Sequence, residues 1–180
     1  MRFRLIQWNV SWAGRAEPKV ALLRELVADL SSELVVVILE EVKPGHRAAF
    51  EEAFGGAAVA YSLDLRVPDE FDGGNRKLGV MIGVTAGQLE DVRLVEEAPY
   101  PDRTLAAVVR VGDTRVHLLG AHGLTGVDYE RAKPDQLRAL CRHVTRLPRS
   151  EASVFALDAN EPDVDAWDFA RTRFLPLIHI

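Results

Sequence analysis

Short apolar runs that end on a polar residue recur along this chain. Residues 3–9 and 34–41 are strand-like runs whose last residues are Asn9 and Glu41, and residues 153–158 repeat the pattern with Asp158 at the end and Asn160 two residues on. A strand that is apolar along its length and polar only at its end places that polar group at the edge of a packed core. Three such strands lying side by side would gather two carboxylates and two amides around one point.

The remaining pattern predicts helices and further strands. Pro18 opens a helix with one apolar face, formed by Val20, Leu23, Val27 and Leu30. Other helices are predicted over residues 46–54 and around 129–147, with a helical turn near 166–174. The apolar stripe of the long helix is predicted to be Leu137, Leu140, Cys141 and Val144. Strands are predicted over residues 57–65, 77–85, 88–95, 104–111, 114–120 and 152–157. This mixture indicates an α/β sandwich rather than a simple parallel sheet.

Composition places the chain among soluble single-domain proteins. Of its 180 residues 48% are hydrophobic and 27% charged, and one domain spanning residues 1–180 is expected. The net charge of −5 argues against nucleic-acid binding through overall charge, but not against a local basic surface. A single cysteine, Cys141, excludes an internal disulfide framework. Because no signal peptide or membrane span is recognisable, a cytoplasmic location is expected.

The polar strand ends carry the candidate chemistry. Carboxylate and amide oxygens are hard ligands that suit Mg²⁺ or Mn²⁺ and the hydrolysis of phosphate esters. Structural roles also fit the same residues. Asp158 or Asn160 would serve equally as the N-cap of a following helix, and Asn9 as a turn residue before Ser11. The pattern alone leaves these interpretations open.

Five short motifs follow one another along the chain. They are Gln7-Trp8-Asn9-Val10, Val37-Ile38-Leu39-Glu40-Glu41-Val42, Leu78-Gly79-Val80, Gly120-Ala121-His122 and Leu157-Asp158-Ala159-Asn160. Together they resemble the motif series of the endonuclease/exonuclease/phosphatase superfamily, which has the deoxyribonuclease-I-like fold. Each motif alone is weak, but five in the family's order across essentially the whole chain are fairly specific. The resemblance implies an α/β sandwich of two mixed sheets flanked by helices.

The resemblance also implies a role for each matching residue. Glu41 matches the family's metal-binding carboxylate, and Asn9 matches the asparagine that supports the metal and phosphate site. Asp158 matches the aspartate that orients or deprotonates the attacking water, and Asn160 the amide that contacts the phosphoryl group. His122 matches the histidine that faces the scissile phosphate as an acid or hydrogen-bond donor. The implied cofactor is Mg²⁺ or Mn²⁺, and the implied partner is a phosphoester substrate, either a nucleic acid or a small phosphorylated molecule.

Several polar residues need a separate interpretation. Glu40 stands where the family usually has glutamine. Because successive strand side chains face opposite ways, only one of Glu40 and Glu41 is expected to be the metal ligand, and the motif position favours Glu41. Arg103 is expected to be a solvated residue at a strand start, and Cys141 a core residue. A solvated helix face is expected to carry Arg138, Arg142, Arg146 and Arg149.

The C-terminal part departs from the family. Family members continue past the Gly-Asp-x-Asn segment with further strands and a closing Ser-Asp-His motif, and nothing after Asn160 matches that motif. His179 lacks the preceding aspartate and is not expected to replace the family histidine. With the C-terminal strands missing, the chain is interpreted as a truncated reading frame, half of a two-chain enzyme or a divergent short member. Its open sheet edge would favour a homo-oligomer or a complementing chain.

Two functions are compatible with this sequence. The first is a divalent-metal-dependent phosphoesterase, either nuclease or phosphatase, that hydrolyses a phosphodiester or phosphomonoester by metal-assisted attack of water. The second is a catalytically incomplete domain of the same fold that acts as a binding or interaction module or needs a complementing chain. An acyl hydrolase finds little support, because there is no Gly-x-Ser-x-Gly motif.

Overall fold

The computed structural model describes residues 3–11, 13–28, 34–68, 77–124 and 132–160. These residues form eight strands, four helices and two 3₁₀ turns. The strands are β1 (Phe3–Asn9), β2 (Leu34–Val42), β3 (Ala58–Tyr61), β4 (Gly79–Val84), β5 (Gln88–Arg93), β6 (Thr104–Val111), β7 (Thr114–His122) and β8 (Ala152–Asp158). The helices are α1 (Glu17–Ala28), α2 (Arg47–Ala53), α3 (Ser62–Leu65) and α4 (Ala132–Thr145), and the 3₁₀ turns are Pro44–His46 and Pro101–Arg103.

Two four-stranded mixed sheets make up the fold. The first has the strand order β1-β2-β4-β3, and the second has the order β5-β6-β7-β8. The pairs β1–β2 and β7–β8 are parallel, whereas the other neighbouring strands pair antiparallel. The α/β sandwich of two mixed sheets that the sequence predicts is therefore confirmed.

A layer of apolar side chains lies between the two sheets. The first sheet contributes Val36 and Ile38 of β2 to this layer, and the second contributes Val116 and Leu118 of β7. Further along β7 the sheets come close together at Gly120, where a Cβ atom would lie 2.6 Å from Cγ2 of Ile38. The end of β7 therefore lies directly against the end of β2.

Helices cover the other face of the first sheet. Val35 and Val37 of β2 cluster with Leu23 of α1 and Phe50 of α2. Since its alternate residues face the second sheet, β2 is buried on both faces, which explains its continuous apolar run. None of the described helices has the length and apolarity that crossing a bilayer requires.

Two predictions around β3 and β6 are wrong. The predicted strand 57–65 is shorter, because β3 ends at Tyr61 and α3 follows. The Ser62 hydroxyl donates to the Asp102 carbonyl at 2.6 Å and accepts from Val80 N at 2.9 Å, which anchors this helical turn inside the fold. Arg103 is only 4% exposed rather than solvated. The 3₁₀ turn Pro101–Arg103 packs against α3 and β4, and Arg103 is buried there.

The buried face of α4 also differs from the predicted stripe. Its buried residues are Lys133, Gln136, Ala139 and Leu140. Cys141 is exposed, so its expected place in the core is wrong. The four arginines are exposed as expected, but α4 ends before Arg146 and Arg149, so only Arg138 and Arg142 lie on a solvated helix face. Leu30, His179 and the turn predicted near residues 166–174 lie outside the described residues.

Candidate active site

The polar ends of four strands meet at one end of the sandwich. In the parallel pair β1–β2, Asn9 lies opposite Glu40, and in the pair β7–β8, His122 lies opposite Asp158. Across the gap between the sheets, Asn9 Nδ2 donates a hydrogen bond to Asp158 Oδ2 at 2.5 Å. The structure thus joins strand ends that are 149 residues apart in sequence.

The turn after β8 holds Asp158 and Asn160 against the end of β7. Asn160 N donates to Asp158 Oδ1 at 3.0 Å, and Asn160 Nδ2 donates to the Gly123 carbonyl at 2.6 Å. Gly123 N donates in turn to the Asp158 carbonyl at 2.6 Å. A Cβ at position 123 would lie 2.6 Å from that same carbonyl oxygen, so this close approach requires glycine.

Asn9 has the turn role that the sequence left open, and its side chain also reaches the second sheet. Its Oδ1 accepts a hydrogen bond from Ser11 N at 2.8 Å, which is the turn role. Its Nδ2 is thereby directed at Asp158 in the second sheet. The turn is therefore part of how the site is built, because it fixes the orientation of the amide.

Glu41 reaches the site because β2 is irregular at its end. The register between β2 and β4 shifts between Leu39 and Val42, and Glu41 has a φ of 60°. In a regular strand Glu41 would face the helices, as Leu39 does. At this bulge its Oε1 lies instead 3.4 Å from Nε2 of His122, a side chain that is 4% exposed.

Glu40 is buried beside the same site. Its residue exposure is 0%, and Gln7 Nε2 donates to its Oε1 at 3.0 Å. Burial, together with the negative charges of Asp158 and Glu41, raises the pKa of Glu40 to about 7, against the lowering effect of the Gln7 hydrogen bond. Alternation along a regular strand would separate the two glutamates, but the bulge brings Glu41 to His122 while Glu40 lies within the electrostatic influence of Asp158.

A hard divalent cation suits this donor set. Within the described ranges, no three His, Cys, Asp or Glu side chains are grouped closely enough to hold a metal by themselves. Mg²⁺ does not need such a group, because it often takes one or two carboxylates and completes its shell with water and phosphate oxygens. Glu40 Oε2 is buried without a hydrogen-bond partner among the described residues, and burial, followed by the negative charges of Asp158 and Glu41, raises the pKa of Glu40. A cation held by Glu41 and Asn9 would offset that charge, so the residues fit the implied metal.

Two residues of α4 that sequence reasoning missed touch the backbone of this site. Gln136 bonds the backbone of His122 and Leu124, and Lys133 Nζ donates to the Asn160 carbonyl at 3.2 Å. Their sequence signal is faint, because polar residues in a helix are usually solvated. Their three-residue spacing, in line with the buried Leu140, is the only cue.

Comparison with known sequences gives a partial likeness. No family model matches the sequence. The heat-inducible transcription repressor HrcA of Nocardioides sp. (strain ATCC BAA-499 / JS614) is 30% identical over 156 residues, covering 71% of this chain and 45% of that protein. The chain thus spans less than half the length of this curated relative, and the likeness does not assign it to the repressor's family.

Solved structures share the fold at low sequence identity. TDP2 from D. rerio, complexed with a single-strand DNA product, has a TM-score of 0.68 and 18% identity over 96% of this chain and 65% of that chain. An AP endonuclease from Archaeoglobus fulgidus has a TM-score of 0.60 and 19% identity over 89% of this chain and 60% of that chain. An endonuclease/exonuclease/phosphatase family protein from Leptotrichia buccalis C-1013-b has a TM-score of 0.65 and 14% identity over 95% of this chain and 72% of that chain. The chain therefore has the deoxyribonuclease-I-like fold of endonuclease/exonuclease/phosphatase proteins, as the motif series predicts.

Proposed function

We propose that this chain is a divalent-metal-dependent phosphoesterase that hydrolyses a phosphodiester or phosphomonoester by attack of water. The observation that carries the proposal is the convergence at one end of the sandwich. The Asn9–Asp158 hydrogen bond joins the two sheets there, and Glu41 meets His122 beside it. Acidic, amide and imidazole groups collected at one edge are what phosphate-ester hydrolysis requires.

Asp158 is the group that orients and deprotonates the attacking water. Among the described residues, each of its carboxylate oxygens accepts one hydrogen bond, Oδ2 from Asn9 and Oδ1 from the backbone of Asn160. A carboxylate oxygen can accept a second bond, so a water can bind while the protein still holds the side chain in place. This arrangement suits a general base whose orientation is set before the substrate arrives.

His122 and Asn160 act on the phosphoryl group and the leaving oxygen. The His122 ring is nearly buried, with Nε2 beside Glu41, and it can donate a hydrogen bond or a proton at the site. One N–H of the Asn160 amide is used by Gly123, which leaves the second for a phosphoryl oxygen. Glu41 and Asn9 would hold the cation, which when bound neutralises phosphate oxygens and stabilises the leaving oxygen.

The test is hydrolysis by the purified chain of DNA, RNA, nucleotides, and sugar and inositol phosphates, with Mg²⁺ or Mn²⁺. Activity should disappear in EDTA. Glu41→Gln and Asp158→Asn keep side-chain shape but remove the charge, so each should lower kcat at least about a hundredfold. Asp135→Asn removes an exposed carboxylate of α4 and should leave kcat unchanged. Full activity in Glu41→Gln or Asp158→Asn would refute the assignment.

A binding module is the second candidate, and the partial likeness to a transcription repressor is the observation that favours it. In this alternative the domain binds a partner through an open sheet edge, without chemistry. Fluorescence anisotropy with labelled DNA, read together with gel analysis of the same sample, separates the two functions. Binding of intact DNA with no hydrolysis of any substrate in the panel would favour the module. Metal-dependent cleavage would exclude it.

A further inference from the structure

The backbone at the end of β7 is hydrogen-bonded to neighbouring elements at the three consecutive residues 122–124. Gln136 Nε2 donates to the His122 carbonyl at 3.2 Å, and Gln136 Oε1 accepts from Leu124 N at 3.0 Å. Between them, both backbone polar groups of Gly123 are bonded to the turn after β8. Four backbone groups of residues 122–124 are thus hydrogen-bonded to Gln136 of α4 or to the turn after β8.

Gln136 holds this backbone segment with a fully buried side chain. Its exposure is 0%, so its amide is shielded from water, and both ends of the amide are used. A buried amide bonded at both ends is held much more rigidly than an exposed one, because releasing it would leave polar groups unsatisfied in the interior. One turn earlier on the same face of α4, Lys133 Nζ donates to the Asn160 carbonyl.

Through these contacts, α4 is linked to the site residues His122 and Asn160 by the backbone of residues 122–124. The His122 carbonyl that Gln136 holds belongs to the same residue whose ring lies 3.4 Å from Glu41. Gly123 lies between the two residues that Gln136 contacts. Its carbonyl accepts a hydrogen bond from the Asn160 side-chain amide, and its N–H donates to the Asp158 carbonyl. A shift of residues 122–124 would therefore displace the histidine from Glu41 and loosen Asn160 together.

We propose that Gln136 is a positioning residue for the phosphoesterase reaction, which fixes the His122 ring and the Asn160 amide through the backbone of residues 122–124. The expected effect on kcat rests on the proposed function, whereas the expected effect on the position of the His122 ring does not. Misplacement of reacting groups by about 1 Å can lower the rate about a hundredfold without weakening substrate binding to the same degree. Loss of Gln136 should therefore act on kcat far more than on KM.

The test uses Gln136→Met, which keeps side-chain length but cannot hydrogen-bond, and Gln136→Glu, which keeps an acceptor for Leu124 N but loses the donor to His122. Both should lower kcat about a hundredfold with KM little changed. Gln88→Met, at an exposed residue of β5, should have no effect. Val144→Ala, in the packed part of α4, supplies a variant destabilised without touching the site. If Gln136→Met lowers kcat no more than Val144→Ala does at a temperature chosen to equalise their folded fractions, the proposal is overturned.

A second measurement does not depend on activity. In EDTA at one pH, the ring C–H resonances of His122, assigned by their loss in His122→Asn, should move in Gln136→Met, while those of His46 stay in place. Unmoved His122 resonances would overturn the positioning role even if kcat fell. A wild-type chain that hydrolyses nothing in the panel would refute the proposed function, and the His122 resonances would still decide whether Gln136 fixes the ring.

Discussion

Glu40→Gln should stabilise the folded protein, and the gain should grow with pH. The substitution keeps an acceptor for Gln7 Nε2 and removes a carboxyl group that is fully buried. The carboxylate form of Glu40 is disfavoured by burial and by the charges of Asp158 and Glu41. A neutral amide avoids both effects while it fills the same space.

The size and sign of the gain follow from the pKa. A rise from 4.5 to about 7 corresponds to about 3 kcal/mol of unfavourable free energy for the ionised form in the folded state. Below pH 4.5 the group is protonated in both folded and unfolded states, so it costs nothing. Between pH 4.5 and about 7 the folded state binds the extra proton, so wild-type stability falls as pH rises. Above about pH 7 the full cost is present.

Urea unfolding at pH 4.5 and pH 8, in EDTA and at constant ionic strength, measures this effect. The difference in unfolding free energy between Glu40→Gln and the wild type should be near zero at the lower pH and approach about 3 kcal/mol at the higher. Glu25→Gln, on the exposed part of α1, corrects for the loss of one negative charge and should change stability little at either pH. An equal gain at both pH values, or a loss at pH 8, would refute the reasoning.

Three other substitutions test how the backbone of the site is held. Gly123→Ala should lower stability by about 1–3 kcal/mol in urea unfolding, because its Cβ would meet the backbone at the end of β8. The control Gly45→Ala should be close to neutral, because a Cβ there meets nothing within 4 Å. Equal effects of the two substitutions would contradict this. Tyr61→Phe removes a buried hydrogen bond of 2.8 Å to the Val42 carbonyl and should cost about 1–2 kcal/mol in the same assay, and an unchanged midpoint would count against it. Glu41→Gly should be more stable than Glu41→Gln by about 1 kcal/mol, because glycine tolerates a φ of 60°, although both should be inactive; identical stabilities would show that this φ is not costly.

The positions of the site residues could be predicted from the sequence because strand ends obey simple rules. Asn9 and Asp158 each close an apolar run, and parallel pairing sends the ends of neighbouring strands to the same edge of a sheet. The hydrogen bond between these two residues is the direct consequence of that rule applied to both sheets. That the end of β1 lies opposite the end of β8 was predictable only from the order of the motifs. The apolar pattern of a strand does not show which other strand it will face.

The face of α4 could not be predicted, for a different physical reason. Hydropathy predicts that Cys141 is buried, whereas the structure exposes Cys141 and buries the polar residues Lys133 and Gln136. The first half of α4 packs on the ends of β7 and β8, where backbone carbonyls and an N–H need partners. Polar side chains bury there because the surface they cover is itself polar, as the contacts to His122 and Asn160 show.

Three of the six described non-glycine residues with positive φ lie where the polar strand ends meet. Ser11, Glu41 and Asn160 have φ values of 53°, 60° and 47°, a region that non-glycine residues avoid. The first and last follow Asn9 and Asp158 by two residues, and their backbone N–H groups bond those very side chains, which offsets the cost. A glutamate at position 41 has no intrinsic preference for this conformation. A position that costs stability and brings a carboxylate to a nearly buried histidine is better explained by the chemistry of the site than by the packing of the fold.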